Sequence, residues 1–290
     1  MVVAVAHAKR MPPDYTCKPS CLDHFIMAFD ACILTPGSIP LLVSFPHVGT
    51  EIPQSIARRM TDAALLRADT DWHLPQLYAF VREMGASTLV PRYSRYVIDL
   101  NRPPEDSNLY PGQDTTGLVP LDTFRKEPIY LAGQAPDDAE AADRRELYWR
   151  PYHDALSREL ARLRDVHGHA ILWDAHSIAS VLPRFFEGRL TDLNLGTADG
   201  HSCAPQVQAA AEAVLAGQND FSHVTNGRFK GGYITRHHGA PGENVHALQM
   251  EMCHSTYMDE PAPFAYRPDL AARVQPVLRR MLDAVVKAVA

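Results

Sequence analysis

Two stretches of this sequence carry residues that could do chemistry. In "LLVSFPHVGTEIP" (residues 41–53) an apolar run ends at Phe45, Pro46 stops it, and His47 is presented in a tight turn. In "HAILWDAHS" (residues 169–177) a second apolar run ends in Asp174 and His176. Side chains two apart on a strand point to the same side, so one of that pair can bind a metal while the other orients it, or both can face a substrate. Singly, each histidine is a residue that a protein core satisfies with backbone. Together, two histidines and a carboxylate at separate strand ends fit a catalytic zinc site, which needs three protein ligands and an open position. At this level the third ligand stays open among Glu51, Asp69, Asp71 and His73, since spacing does not choose between them. Asp71 could equally cap a helix.

Hydrolysis at a metal also requires a general base. "QMEMCHSTYM" sets Glu251 between Met250 and Met252, and a carboxylate in such surroundings is costly unless paired or functional. Burial would raise its pKa toward neutrality and make it the better proton acceptor. Arg95 and Arg102 flank "YVIDLN", and Arg236 lies in "KGGYITRHHG". Guanidinium groups bind carboxylates in a bidentate way, so three of them at one crevice would suit a substrate with more than one carboxylate.

These residues need a frame that brings them together. "FIMAFDACILT", "IPLLVSF", "ASTLV", "SRYVIDL", "HAILWDAHS", "SHVTNG" and "VHALQMEMC" read as strands. "PQSIARRM" and "TDAALLRA" read as short helices, with Thr61 and Asp62 able to cap the second. "DWHLPQLYAFVREMG" puts Leu74, Leu77, Phe80 and Val81 on one helical face, with Gly85 as its stop. One or two long helices follow over 137–168, with a kink at Pro151. Further helices cover "SCAPQVQAAAEAVLAG" and the C-terminal "DLAARVQPVLRRMLDAVVKAVA". The polar stretch 101–118 is a long loop of the kind that carries function. Strands alternating with helices predict a three-layer α/β/α domain with a largely parallel sheet. In such sheets the crevice lies outside the carboxyl ends of the strands, where His47, Asp99, Asn101, Arg102, Asp174, His176 and Glu251 fall.

The bulk properties narrow the function classes. A net charge of −6 over 290 residues is not the basic footprint of a nucleic-acid binder. No apolar run reaches a membrane span. The five cysteines, Cys17, Cys21, Cys32, Cys203 and Cys253, are scattered and odd in number, which predicts reduced thiols and a cytoplasmic protein. Residues 1–24 show no clear period and are expected to form a peripheral arm, with one catalytic domain over 25–290.

The motifs "SFPHVGTEIP", "DTDWHLPQLY", "SRYVIDLNRP", "WDAHSI", "VTNGRFKGGYITRHHG" and "EMCHSTYM" occur in this order. As a set they resemble the N-formylglutamate amidohydrolase family, from about Phe25 to the C-terminal helix. The resemblance implies a mixed, mostly parallel sheet of the phosphorylase/hydrolase-like type found in zinc carboxypeptidases. It implies metal-dependent hydrolysis of N-formyl-L-glutamate to L-glutamate and formate, a step of histidine degradation. It also implies one divalent metal (zinc, or cobalt or manganese) on His47, Asp71 and His176, with Asp71 preferred over Glu51. Glu251 becomes the base. Arg95, Asn101, Arg102 and Arg236 become the groups that hold a dianionic small-molecule substrate or the developing oxyanion. Three other readings compete: a related amidohydrolase for another N-acylated acidic amino acid, a metal-free binder of acidic metabolites, and a serine hydrolase using Ser44 or Ser177. The last lacks a GxSxG elbow.

Overall fold

The computed structural model describes residues 31–109 and 112–289. The expected arm over 1–24, with Cys17 and Cys21, and the first residues of the strand expected from Phe25 lie outside the described residues. The chain enters through β1 (Cys32–Thr35) and β2 (Leu41–Ser44). Three one-turn helices follow, α1 (Gln54–Ala57), α2 (Asp62–Leu65) and α3 (Leu74–Leu77), and then β3 (Ser87–Pro91). Helix α4 (Asp138–Arg144) passes through a π-helical turn, Arg145–Trp149, into α5 (Arg150–His167). The remainder is β4 (Ala170–Ile178), β5 (Leu193–Gly196), α6 (Pro205–Ala216), β6 (His223–Thr225), α7 (Tyr233–His238), β7 (Val245–Cys253) and α8 (Pro268–Lys287).

The seven strands form one sheet in the order β1-β3-β2-β4-β7-β5-β6. Strands β3, β2, β4 and β7 run parallel, while β1 pairs antiparallel with β3 and β5 antiparallel with β7. The centre is buried on both faces, as parallel sheets require. All nine residues of β4 and all nine of β7 are buried. Alternation sorts their side chains into two layers. Ile171, Trp173, Ala175, Leu248, Met250 and Met252 pack against α3, α6 and α8. Leu172 and Ala247 pack on the other side with Tyr152, Leu156, Leu160 and Leu163 of α5. The result is a three-layer α/β/α fold with a mixed, mostly parallel sheet.

Local chemistry sets several boundaries. Thr61 caps α2 by accepting from the Ala64 amide. Gly168 ends α5 in the left-handed conformation, φ 80°. The segment around Leu74 does not form one long helix. His73 is left-handed at φ 62° and Pro75 sits in the first turn, so α3 is a single turn followed by a 3₁₀ turn over Ala79–Val81. Its apolar face is nonetheless used, since Leu74, Leu77 and Val81 are buried. "SRYVIDL" is not a strand. Ser94 to Asn101 are buried without alternation, in turns closed by Val97 N to Ser94 O and Asp99 N to Leu118 O. Among the described residues, no helix is long and apolar enough to cross a membrane.

Candidate active site

The parallel strands deliver their polar ends to one cleft on the α5 side of the sheet. Alternation that sends Leu172 to that side sends Asp174 and His176 there too, and in β7 it does the same for Gln249 and Glu251. The register places His176 beside Glu251. His47 comes from the turn after β2. Gly49 is required in that turn, because a Cβ there would lie 2.1 Å from the Tyr93 carbonyl oxygen. Asp71 arrives just before α3, where its amide is held by the His47 carbonyl at 3.0 Å. It caps nothing; His73 is the residue that precedes α3.

His47 Nε2 lies 2.8 Å from Asp99 Oδ1, and His176 Nε2 lies 2.9 Å from Asp174 Oδ2. A carboxylate accepts only, so both Nε2 atoms carry the hydrogen. Both Nδ1 lone pairs are then turned inward. They stand 3.1 Å apart, with Asp71 Oδ2 at 3.4 Å from one and 3.8 Å from the other. Three acceptors converge with no donor among them, and Asp71 Oδ1 is buried without a hydrogen-bond partner. A cation resolves this arrangement. Imidazoles backed by carboxylates are the usual outer support of metal ligands, and His47, Asp71 and His176 could hold a metal ion.

The charges agree. Burial alone would lower the pKa of His176, but the Asp174, Asp71 and Glu251 carboxylates together outweigh it and drive it well above the ordinary value. His47 is lowered by burial and by the nearby Arg95. Asp99 would be raised by burial, but Arg95, whose NH2 is 2.6 Å away, holds it well below the carboxylate range. Glu251 is pushed up to about 8, chiefly by burial. The cluster gathers Asp71, Asp99, Asp174 and Glu251 around Arg95 and Arg102, so a divalent cation improves its charge balance. The cleft around these groups also has Asn101, Asp114, Phe124, Arg228 and Gln249 in its walls.

Comparison with known proteins places the chain in a family. Residues 39–258 match the family model described as N-formylglutamate amidohydrolase. The chain belongs to the N-formylglutamate amidohydrolase family. It is 50% identical over 250 residues to the N-formylglutamate deformylase of Pseudomonas aeruginosa, covering 86% of this chain and 94% of that protein. The N-formylglutamate deformylase of Pseudomonas putida is equally similar, with 93% of its length covered. The N-formylglutamate amidohydrolase structure from Ralstonia eutropha JMP134 superposes with a TM-score of 0.74 at 24% identity, over 90% of this chain and 97% of that one. A structure from Agrobacterium tumefaciens gives 0.66 at 20% identity, over 89% and 94%. The family and these relatives identify the chain as a hydrolase acting on a carbon–nitrogen bond.

Within this amidohydrolase the other ligand candidates are engaged elsewhere. Glu51 pairs with Arg92 at 3.0 Å on the surface. Asp69 accepts from Tyr96 OH and the Phe124 amide. His73 Nε2 meets the Phe264 carbonyl at 2.7 Å. Arg95, Asn101, Arg102 and Glu251 line the cleft. Arg236 is not among the lining residues. It is exposed on α7, with its Nε donating to the Gly231 carbonyl. Arg228 of the same motif lines the wall instead. Gln249, two residues before Glu251, follows from the same alternation that paired Asp174 with His176. Arg228, Asp114 and Phe124 carry no such signal, because loops bring them in.

Proposed function

We propose that this chain hydrolyses N-formyl-L-glutamate to L-glutamate and formate, as a cytoplasmic step of histidine degradation, with one divalent metal on His47, Asp71 and His176. The observation that carries the reading is the inward convergence of those three acceptors, each imidazole backed by a carboxylate, beside Glu251. Nitrogen and carboxylate ligands suit zinc and also admit cobalt or manganese. A divalent ion there supplies Lewis acidity and lowers the pKa of water at the site.

The chain's own residues then do the following. Glu251 accepts the proton of the attacking water and returns it to the leaving nitrogen. Its burial raises proton affinity, and a neighbouring cation favours its ionised form, so the two influences bring it toward a working range. Arg95, held by Asp99, presents a fixed positive charge to the oxyanion that develops on the formyl group. Asn101 and Arg102 hold one substrate carboxylate from one side of the cleft, and Arg228 holds the other from the opposite wall. Asp99 and Asp174 fix the tautomer of the two rings.

The test is metal analysis of the purified protein, with formate release measured on N-formyl-L-glutamate, N-formyl-L-aspartate and N-acetyl-L-glutamate. About one metal per chain, preference for the first substrate and loss of both metal and turnover in His176→Ala support the reading. Turnover that survives His176→Ala removes the metal assignment. Bound metal without turnover of N-formylglutamate removes the substrate.

A further inference from the structure

Asn101 and Arg102 line the cleft from a backbone segment that belongs to no strand or helix. Its position has to be imposed from outside. Two side chains of the α4–α5 helix do this. The Trp149 indole Nε1 donates to the Arg102 carbonyl at 3.0 Å, and His153 Nε2 donates to the Leu100 carbonyl at 2.9 Å. These two carbonyls bracket Asn101. The rings stand four residues apart on one helical face and are stacked, with centroids 3.7 Å apart and planes at 23°. The π-helical turn Arg145–Trp149 ends on Trp149, and such turns recur where a side chain is re-aimed for function.

The hydrogen-bond directions are fixed by the partners. A carbonyl only accepts, so the His153 hydrogen is on Nε2 and its Nδ1 accepts from His238 Nε2 at 3.2 Å. His238 closes α7, and the start of α7 grips the same residue from the other side. The Ile234 amide donates to Asn101 Oδ1 at 2.8 Å, and the Tyr233 amide donates to the Asn101 carbonyl at 3.4 Å. Trp149 and His153 are buried and do not line the cleft.

We propose that Trp149 and His153 are positioning residues for substrate binding, which hold Asn101 and Arg102 in register with the cleft without touching the substrate. The kinetic part of the proposal rests on the deformylase reading; the structural part does not. A carboxylate held by Asn101 and Arg102 keeps its charge through the reaction. A slack segment therefore loses binding equally in ground and transition states, which raises KM and spares kcat.

The experiment compares the metal-loaded full chain with Trp149→Phe, His153→Phe and His153→Gln. Formate release from N-formyl-L-glutamate gives KM and kcat, metal analysis checks the ligand set, and amide hydrogen exchange reports on residues 99–102. Trp149→Phe and His153→Phe keep an aromatic stack and lose one donor each. Each is expected to raise KM about five- to tenfold, the worth of one buried hydrogen bond, with kcat within about twofold and metal content unchanged. Exchange over 99–102 should quicken in both. Glutamine can donate to the Leu100 carbonyl, so His153→Gln should restore both readouts. Unchanged exchange over 99–102 in Trp149→Phe and His153→Phe overturns the proposal, whatever the turnover. Quickened exchange with unchanged KM in an active enzyme overturns it as well. A wild-type protein that releases no formate overturns the deformylase reading instead, and the exchange data then decide whether the clamp exists.

Discussion

Replacing Asp174 by asparagine tests the metal-site argument at its most specific point. Asp174 is fully buried and is not itself one of the three candidate ligands. It accepts from His176 Nε2 at 2.9 Å and from Ser44 Oγ at 3.0 Å. Asparagine is isosteric, and its carbonyl oxygen can still accept from His176. Its amide would face Ser44 Oγ, which can accept in turn and donate to Tyr152 OH, 3.0 Å away. The hydrogen-bond count survives, but the negative charge behind the imidazole does not. Removing such outer support costs about 10- to 100-fold in metal affinity, or about 1.4–2.7 kcal/mol. The assay is zinc Kd by chelator competition, with Leu172→Ala as control. That variant opens a hole in the same strand and costs about 2–5 kcal/mol of stability while leaving both rings supported. Asp174→Asn should weaken zinc within the stated range, and Leu172→Ala should leave Kd unchanged. Equal affinity in Asp174→Asn and wild type, or an equal loss in Leu172→Ala, would refute the idea that Asp174 acts through the ring it supports.

Four further outcomes are expected. Glu251→Gln should lower kcat by about 10²- to 10⁴-fold with metal content retained, read by formate release beside metal analysis. Gly232→Ala would put a Cβ 2.4 Å from Asn101 Nδ2, so Asn101 must move; KM for N-formyl-L-glutamate should rise at least about tenfold, since a displaced side chain loses its hydrogen bonds. Arg228→Ala should raise KM by a similar factor, about tenfold, while Arg236→Ala on the exposed face of α7 should leave steady-state kinetics unchanged. Stability should fall in acid. Burial lowers His238 from 6.5 to about 3, so between those values the unfolded chain binds the extra proton. The stability is complete above pH 6.5 and is lost as pH falls. At pH 5 the loss from this residue is about 2 kcal/mol, and calorimetric melts of wild type and His238→Gln at pH 7.5 and 5 should differ accordingly.

How much of this was legible beforehand follows from where each residue sits. Period-two alternation in a buried strand is a strong signal, and it determined the side on which Asp174, His176 and Glu251 lie. In the sequence, only the family resemblance favours Asp71 over Glu51. The physical distinction is that Glu51 has a surface arginine within reach, whereas Asp71 precedes a helix whose first turn is set by Pro75, leaving its carboxylate free to face the histidines. "YVIDL" has the apolar, β-branched composition of a strand, yet it folds as turns. Here all of Tyr96 to Leu100 is buried, and uninterrupted burial without a partner strand is equally the mark of a packed turn. The four residues of β5, "LNLG", are too short to announce a strand without the neighbour they pair with. The arginine of the glycine motif that lines the cleft is Arg228. "GRFKGGYITR" offers two guanidinium groups eight residues apart, and only the start of α7 at Tyr233 decides that Arg228 falls in the cleft and Arg236 outside.

The same contrast explains why the site is built as it is. The proposed ligands on β4 and directly after β2 take their positions from the sheet, because strand positions are fixed by ladders of hydrogen bonds on both sides. Asn101 and Arg102 have no ladder. Their geometry is instead assembled from side-chain bonds: Asp99, two residues back, accepts from the Asn101 amide at 2.9 Å, Trp149 and His153 donate to the flanking carbonyls, and the start of α7 donates to the Asn101 side chain. Apart from Asp99, each partner lies far away in sequence, so no local pattern reveals it. Held this way, the 99–102 segment can change its shape through substitutions in α5 or α7 that never enter the cleft, whereas His176 cannot shift without moving β4. Variation in substrate preference between relatives of this fold should therefore concentrate in the residues that hold the 99–102 segment and in the loop bearing Arg228, and not in β4 or β7. Exchanging Trp149, His153 and the loop 226–232 between two family members of different preference, with β4 and β7 untouched, should carry preference with the exchanged residues; preference that stays with the strands would refute this division of labour.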